Sequence, residues 1–459
     1  MKNVLPVFCG RAAAAALWIC LAWGAVAQQP VNTDALVNPY PAPVTVTNQF
    51  GPPPTPPVLS GPTTPGTGQA GAPSMGTSAL AGSSASVSRS EITGPPLVSW
   101  GPIGVYPHLL YRFTYGDGVA ALPGENTTTE IETVAPGLLL ALGNHWTLDY
   151  TPTLAFYSSR LFKDTVDQAV LLHGATTNGD WVLGLAQSYV STTQPLVETG
   201  TQTEQEGYAT AFTAAGQLSA KLSLELGLNQ IFRFSQSYPS MHEWSTADWL
   251  NYQIEPQLGL ALGPTIGYDE LSAGSDMPFE QIRGRVTFRS GTKLLLSVDG
   301  GVEDRQFIHP SSAAMVTPVF NASAFYQIFE GTALSVLGSR VVTPSLYVNQ
   351  AVVISTVSAS LRQHLVKEIY LEIDGGYTTE PFTSIEPGPL PEFFLGAPPR
   401  STQTVVRTDT TEFGKISLST TFRKRLTGSV FYYASKNASS QVNFSYKSTQ
   451  TGVELSYHY

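Results

Sequence analysis

The residues in this 459-residue chain that could do chemistry are seven histidines, 34 carboxylates and 24 lysines and arginines, and their spacing rules out most enzymatic chemistry. His242-Glu243 opens a zinc-protease pattern, but Ser245 and Thr246 follow and no second histidine stands four residues after the first. His108, His145, His173, His309, His364 and His458 are scattered, with no two at ligand spacing. There is no G-x-S-x-G elbow to present a nucleophile and no G-x-x-x-x-G-K loop to cradle a phosphate. Gly66, Gly68 and Gly71 match G-x-G-x-x-G, yet no strand leads in and no helix leads out. The chain therefore reads as no enzyme, with no catalytic residue, no metal and no cofactor.

The charges have a different regularity. Glu225 and Arg233 lie on the odd positions of a segment whose even positions are Leu222, Leu224, Leu226, Leu228 and Phe232. Glu255 opposes Tyr252 and Ile254 in the same way, and Arg283 and Arg285 oppose Ile282 and Val286. Asp299, Glu303 and Arg305 oppose Leu294, Leu296 and Val298, and Glu372 and Asp374 oppose Ile369, Leu371 and Ile373. A period of two places these charges on one face of a strand and the apolar residues on the other. In a membrane barrel the apolar face meets lipid and the charges line the interior, because Arg or Lys at mid-bilayer costs about 2–4 kcal/mol. The ten charges named are the candidate pore lining. A three-residue turn over Ser290 to Thr292 sets Arg289 against Lys293 and Arg283 against Asp299.

The elements that must carry them are strands. After Trp100 the chain resolves into roughly 18 alternating segments, with 16 as the alternative count. Tight connections fall at Gly143-Asn144, Asn178-Gly179, Leu218 to Ala220, Gly263-Pro264, Ser290-Gly291, Gly331, Leu365-Val366 and Arg425-Leu426, and each alternates with a longer polar or Pro-rich one. Short turns at one end and long loops at the other mark a transmembrane antiparallel up-and-down β-barrel with both barrel termini on the periplasmic side. Such a barrel encloses a channel rather than a packed interior. Asp299-Gly300-Gly301 and Asp374-Gly375-Gly376 read as bulges or bends of its wall.

Composition agrees. Only 13% of residues are charged, and the net charge of −10 speaks against a nucleic-acid partner. Lys2 and Arg11, the apolar run from Ala12 to Trp23 and Ala25-Val26-Ala27 form a signal peptide over residues 1–27, cleaved after Ala27, and it contains both cysteines, Cys9 and Cys20. Residues 28–100 hold Pro52-Pro53-Pro54 and Pro56-Pro57 among Gly, Ser and Thr, the makings of a disordered periplasmic segment before the barrel at 101–459.

The last segment, Gly452 to Tyr459, sets Val453, Leu455, Tyr457 and Tyr459 against Glu454, Ser456 and His458. With the repeated tight hairpins, this aromatic-ended strand resembles the β-barrel porin families of Gram-negative-type bacteria, although their usual final residue is phenylalanine. The resemblance implies an outer-membrane channel for passive, weakly selective diffusion of small polar solutes. It also implies surrounding lipid, a barrel-assembly machinery that reads Tyr457 and Tyr459, and packing as a homotrimer. The longest loop, about Thr379 to Ser401, brings Phe393, Phe394 and Leu395 into a constriction. The alternative reading is a non-conducting structural or adhesin-type barrel, or an export-associated outer-membrane component, tethered through the Pro-rich segment.

Overall fold

The computed structural model describes residues 95–118, 127–196, 198, 201–291, 293–308, 313–387, 401–422 and 425–459. Residues 1–94, which hold the expected signal peptide and nearly all of the Pro-rich segment, and Phe393, Phe394 and Leu395 lie outside the described residues. The last residues of the Pro-rich stretch do form structure. Strand β1 (Val98–Trp100) folds back on the start of β2 through Gly101, whose φ of 57° suits a residue without a Cβ.

The wall begins with β2 (Ile103–Asp117), β3 (Thr128–Leu142), β4 (Trp146–Tyr157), β5 (Thr165–Asn178), β6 (Trp181–Leu196), β7 (Thr201–Gln217) and β8 (Leu222–Ser235). It continues with β9 (Met241–Ala247), β10 (Trp249–Glu255), β11 (Leu258–Leu271), β12 (Met277–Ser290), β13 (Leu294–Phe307) and β14 (Ala313–Phe329). It ends with β15 (Thr332–Pro344), β16 (Gln350–Val366), β17 (Ile369–Pro387), β18 (Ser401–Phe422), β19 (Leu426–Ser439) and β20 (Tyr446–His458). Every neighbouring pair is antiparallel, and β20 returns to pair with β2, setting Leu455 opposite Tyr111. β9 and β10 keep one register against both β8 and β11, so they are halves of a single wall strand, and the closed barrel has 18 strands.

Several registers differ from the sequence expectation, among them the tight connection expected at Leu365-Val366, which falls at Lys367 and Glu368. Gly263 and Pro264 lie inside β11, opposite Arg283 and Ile282, and the tight connection falls at Pro256 and Gln257. Across β12 and β13, Ser290 opposes Leu294, so Arg285 faces Asp299, Arg283 faces Gly301 and Arg289 faces Leu295. Pairing also runs unbroken through Gly300-Gly301 and Gly375-Gly376, with no bulge at either; the Phe413 ring covers Gly376 instead.

Alternation fixes what each face meets. Ile282, Val286, Val298, Val302, Ile373, Val453 and Leu455 all point outward and exposed. Aromatic residues concentrate towards the two rims of this apolar belt. Tyr208, Phe234, Trp244 and Tyr268 lie near the loop end, and Tyr252, Tyr326 and Phe422 near the turn end, as at the two interfaces of a bilayer. A surface this apolar is stable only in lipid.

Candidate functional site

Seen from inside, the wall is ionic. On β8 to β13, the Arg305 guanidinium donates to Glu303 (2.7 Å) and to Asp269, and it lies over the Phe279 ring. Gln281 donates to the second Glu303 oxygen at 2.7 Å. Arg283 donates to Asp299 at 3.2 Å and to Thr265, and Arg285 donates to Glu225 at 3.4 Å. Both arginines flank Trp249, Arg285 at 3.7 Å from the ring centre. Arg233 is buried in the field of Glu198, Asp269 and Glu243. Desolvating such charges is expensive unless they pair, and here cations and anions alternate so that they do.

Of the ten charges singled out in the sequence, nine stand on the inner face. Seven of them, Glu225, Arg233, Arg283, Arg285, Asp299, Glu303 and Arg305, belong to this network. Glu372 and Asp374 lie on β17, beside Lys415 of β18. Glu255 does not join them, because a register shift between Gln253 and Glu255 leaves it exposed at the turn end. The pattern of alternation did not reveal two further clusters. Arg112 clasps Glu454 across the β2–β20 closure, with both Nε and Nη2 2.9 Å from Oε2. His108 Nε2 lies 3.2 Å from Asp149, which also accepts from Thr151. Among the described residues no group of three or more His, Cys, Asp or Glu is placed to hold a metal ion.

The interior is narrowed by a hairpin of the wall itself. Pairing of β14 with β15 stops at Phe320–Arg340, whereas β15 and β16 stay paired to Pro344–Ala351. The end of this hairpin therefore leaves β14. Val342, Ala351 and Val353 on one of its faces pack against Met277, Phe307, Met315 and Val319 of β12 to β14. Val352 and Ile354 on the other face pack against Phe382 of β17. Burial on both faces explains why Ala351-Val352-Val353-Ile354 is a continuous apolar run, the one signal in the sequence that pointed here.

The tip crosses to the far side. Between β6 and β7, roughly halfway round the ring from β15 and β16, the Glu198 carboxylate accepts from the Ser345 hydroxyl (2.6 Å) and the Leu346 amide (2.8 Å). Tyr347 and Arg407 donate to the Glu198 carbonyl oxygen at 3.1 and 3.4 Å. Asn349 accepts from Ser275 of the β11–β12 loop, and the Tyr347 ring meets Tyr238 edge-on. Leu346 at the tip is 1% exposed. Burial raises the Glu198 carboxyl above its ordinary range, against the lowering effect of Ser345, the Leu346 amide, Arg233 and Arg407. Nothing periodic in the sequence marks Glu198, because its partners are some 150 residues away along the chain.

At the closure, the Tyr459 amide donates to the Pro107 carbonyl at 3.2 Å, and Arg425 lies over its ring at 4.3 Å. Tyr457 opposes Leu109 on the outer face.

No model of a protein family and no curated protein sequence matches the chain. Among solved structures it is similar to the FrpB iron transporter of Neisseria meningitidis (F3-3 variant), at 10% identity and a TM-score of 0.42, over 72% of this chain and 62% of that one. It thus matches less than two thirds of the FrpB length. It is also similar to Pseudomonas aeruginosa OpdL, at 11% identity and a TM-score of 0.40, over 78% of this chain and 99% of OpdL. A third similar structure is Pseudomonas aeruginosa OccK2 (OpdF) in complex with glucuronate, at 10% identity and a TM-score of 0.42, over 78% of this chain and 97% of that one. The class follows from this chain's own wall, which is closed, apolar outside, girdled by aromatics and ionic within. It is an outer-membrane β-barrel of 18 strands.

Proposed function

We propose that the protein is a porin-like channel through which small polar solutes diffuse with weak selectivity, narrowed near its loop end by the β15–β16 hairpin. The supporting observation is the inner wall, where carboxylates and arginines alternate. Much of the β8–β13 network is buried and paired, but Arg283, Glu372, Asp374 and Lys415 stay partly exposed on the inner face, as groups beside water do. Because the wall charges are largely paired, the field across the lumen is mixed in sign and the selectivity between anions and cations small. A cavity of about 410 Å³ between the hairpin tip and the turn end gives solutes room. Tyr457 on β20 and Tyr459 just beyond it serve as the residues read by the barrel-assembly machinery.

A second reading, a non-conducting structural barrel, draws on the hairpin, which buries apolar residues on both faces inside the lumen. Planar-bilayer recording separates the two. A channel gives stepwise ion currents whose reversal potential shifts little in a salt gradient. Silence from both the full chain and a variant lacking residues 345–349 would overturn the channel reading.

A further inference from the structure

The cavity between the hairpin tip and the turn end has a lining that wall neutrality does not explain. Leu295 and Leu337 face inward and are 38% and 45% exposed, and Phe325 stands beside them, an aliphatic and aromatic floor presented to the lumen. Apolar area left open in this way is stabilised by whatever apolar group covers it. Across the cavity Asp374 and Lys415 are directly opposed on β17 and β18. Unlike Arg305 with Glu303 or Arg112 with Glu454, these two make no ion pair within 4.0 Å, and the Lys415 ammonium lies over the Phe431 ring at 5.9 Å. Ser335 and Ser360 place hydroxyls between floor and charges.

The geometry points to a binding site for a zwitterionic α-amino acid with an apolar side chain, and this inference rests on the channel reading above. Its carboxylate meets Lys415, its ammonium meets Asp374, and its side chain covers Leu295, Leu337 and Phe325. Directly opposed residues of antiparallel strands stand about 4.5–5.5 Å apart at Cα, so two charges borne on one carbon reach both partners at once. A volume of about 410 Å³ lies within the usual range of small-molecule sites, about 300–1,000 Å³. A neutral sugar would satisfy the serines but add no direct ion pair to Asp374 or Lys415, whose other charged neighbours include Glu372 and Glu454, and it would leave the aliphatic floor wet.

Titration calorimetry of the folded, detergent-solubilised barrel with L-leucine, glycine and glucose tests this without requiring current. Leucine should bind saturably and at least about tenfold more tightly than glycine, the worth of one buried aliphatic side chain. Asp374→Asn and Lys415→Gln should each weaken leucine about tenfold, the worth of one hydrogen bond to a charged group. Leu337→Ser, which touches no charge, should weaken leucine and leave glycine unchanged. Glucose binding as tightly as leucine, or no saturable binding of leucine, overturns the inference. Bilayer recordings keep the two readings apart. A silent barrel that binds leucine sinks the channel and spares the site, whereas a conducting barrel indifferent to leucine does the reverse.

Discussion

The Glu198 carboxylate accepts a 2.6 Å hydrogen bond from the Ser345 hydroxyl, joining two segments that enter the barrel from opposite sides of its wall. With the Leu346 amide bond it is what fastens the hairpin tip, so Glu198→Ala should release it. Leaving buried donors without an acceptor costs about 1–3 kcal/mol, enough to multiply the open population some 5- to 150-fold. Single-channel conductance should rise, and an unchanged conductance would show that the tip is held by its apolar packing alone.

The same carboxyl makes the latch weaken as pH rises. Burial raises the pKa of docked Glu198 above that of the undocked residue, so docking takes up a proton. The latch is then strongest below the ordinary glutamate range and weakens as pH climbs from there through the raised value. Open probability should increase with pH across that window and lose this dependence in Glu198→Gln. A pH response retained by that variant would assign it to another group.

Deep in the wall, Arg305 neutralises Asp269 and Glu303, both 0% exposed. Arg305→Met strands two carboxylates and should destabilise the barrel by about 3–5 kcal/mol, read as a lower midpoint in urea unfolding from detergent. The triple variant Asp269→Asn, Glu303→Gln, Arg305→Met should recover much of the loss.

Adjacent residues on opposite faces offer a matched pair. Ile282 is 61% exposed on the lipid side, and Gln281 points inward to Glu303. Ile282→Arg should cost about 2–4 kcal/mol of insertion free energy, whereas Gln281→Arg gains a carboxylate partner. Equal yields of folded barrel in liposomes would contradict the assignment of faces.

Tyr459 packs under Arg425 beside the closing register. Tyr459→Asp should cut the rate of assembly into lipid several-fold while leaving the conductance of the molecules that do assemble unchanged. An assembly rate equal to that of the parent chain would remove the terminal aromatic as a signal.

What could be read in the sequence was whatever is local. Strand identity, facing and the turn-and-loop alternation each depend on residues a few positions apart, and β2 through β8 lie close to where the pattern puts them. The β10–β11 connection was misplaced for a specific reason. Its register pairs even positions with even, Leu250 with Leu262 and Tyr252 with Leu260, so the two strands read as one uninterrupted alternating segment. Gly263-Pro264 then looked like the turn. The β16–β17 turn was placed two residues early, at Leu365-Val366, because Lys367 adopts a φ of 53° where glycine would be usual. The β12–β13 register was off by two residues, a slip that preserves both faces and that periodicity cannot see. The latch was illegible because it joins residues distant in sequence, although the unbroken apolar run at 351–354 departed from the lumen pattern in plain view.

The Arg112–Glu454 clasp has a consequence for how the molecule comes into being. The first wall strand is synthesised long before the last, and its edge stays open until β20 arrives. When β20 comes, slipping by one residue would turn Glu454 towards hydrocarbon and take the carboxylate away from Arg112. Slipping by two would set Arg112 against Gly452 or Ser456 and leave Glu454 with no cation opposite. Only one docking satisfies both charges, so the ion pair acts as a proofreading step on ring closure, rejecting near-miss registers that hydrogen bonding along the backbone alone would accept.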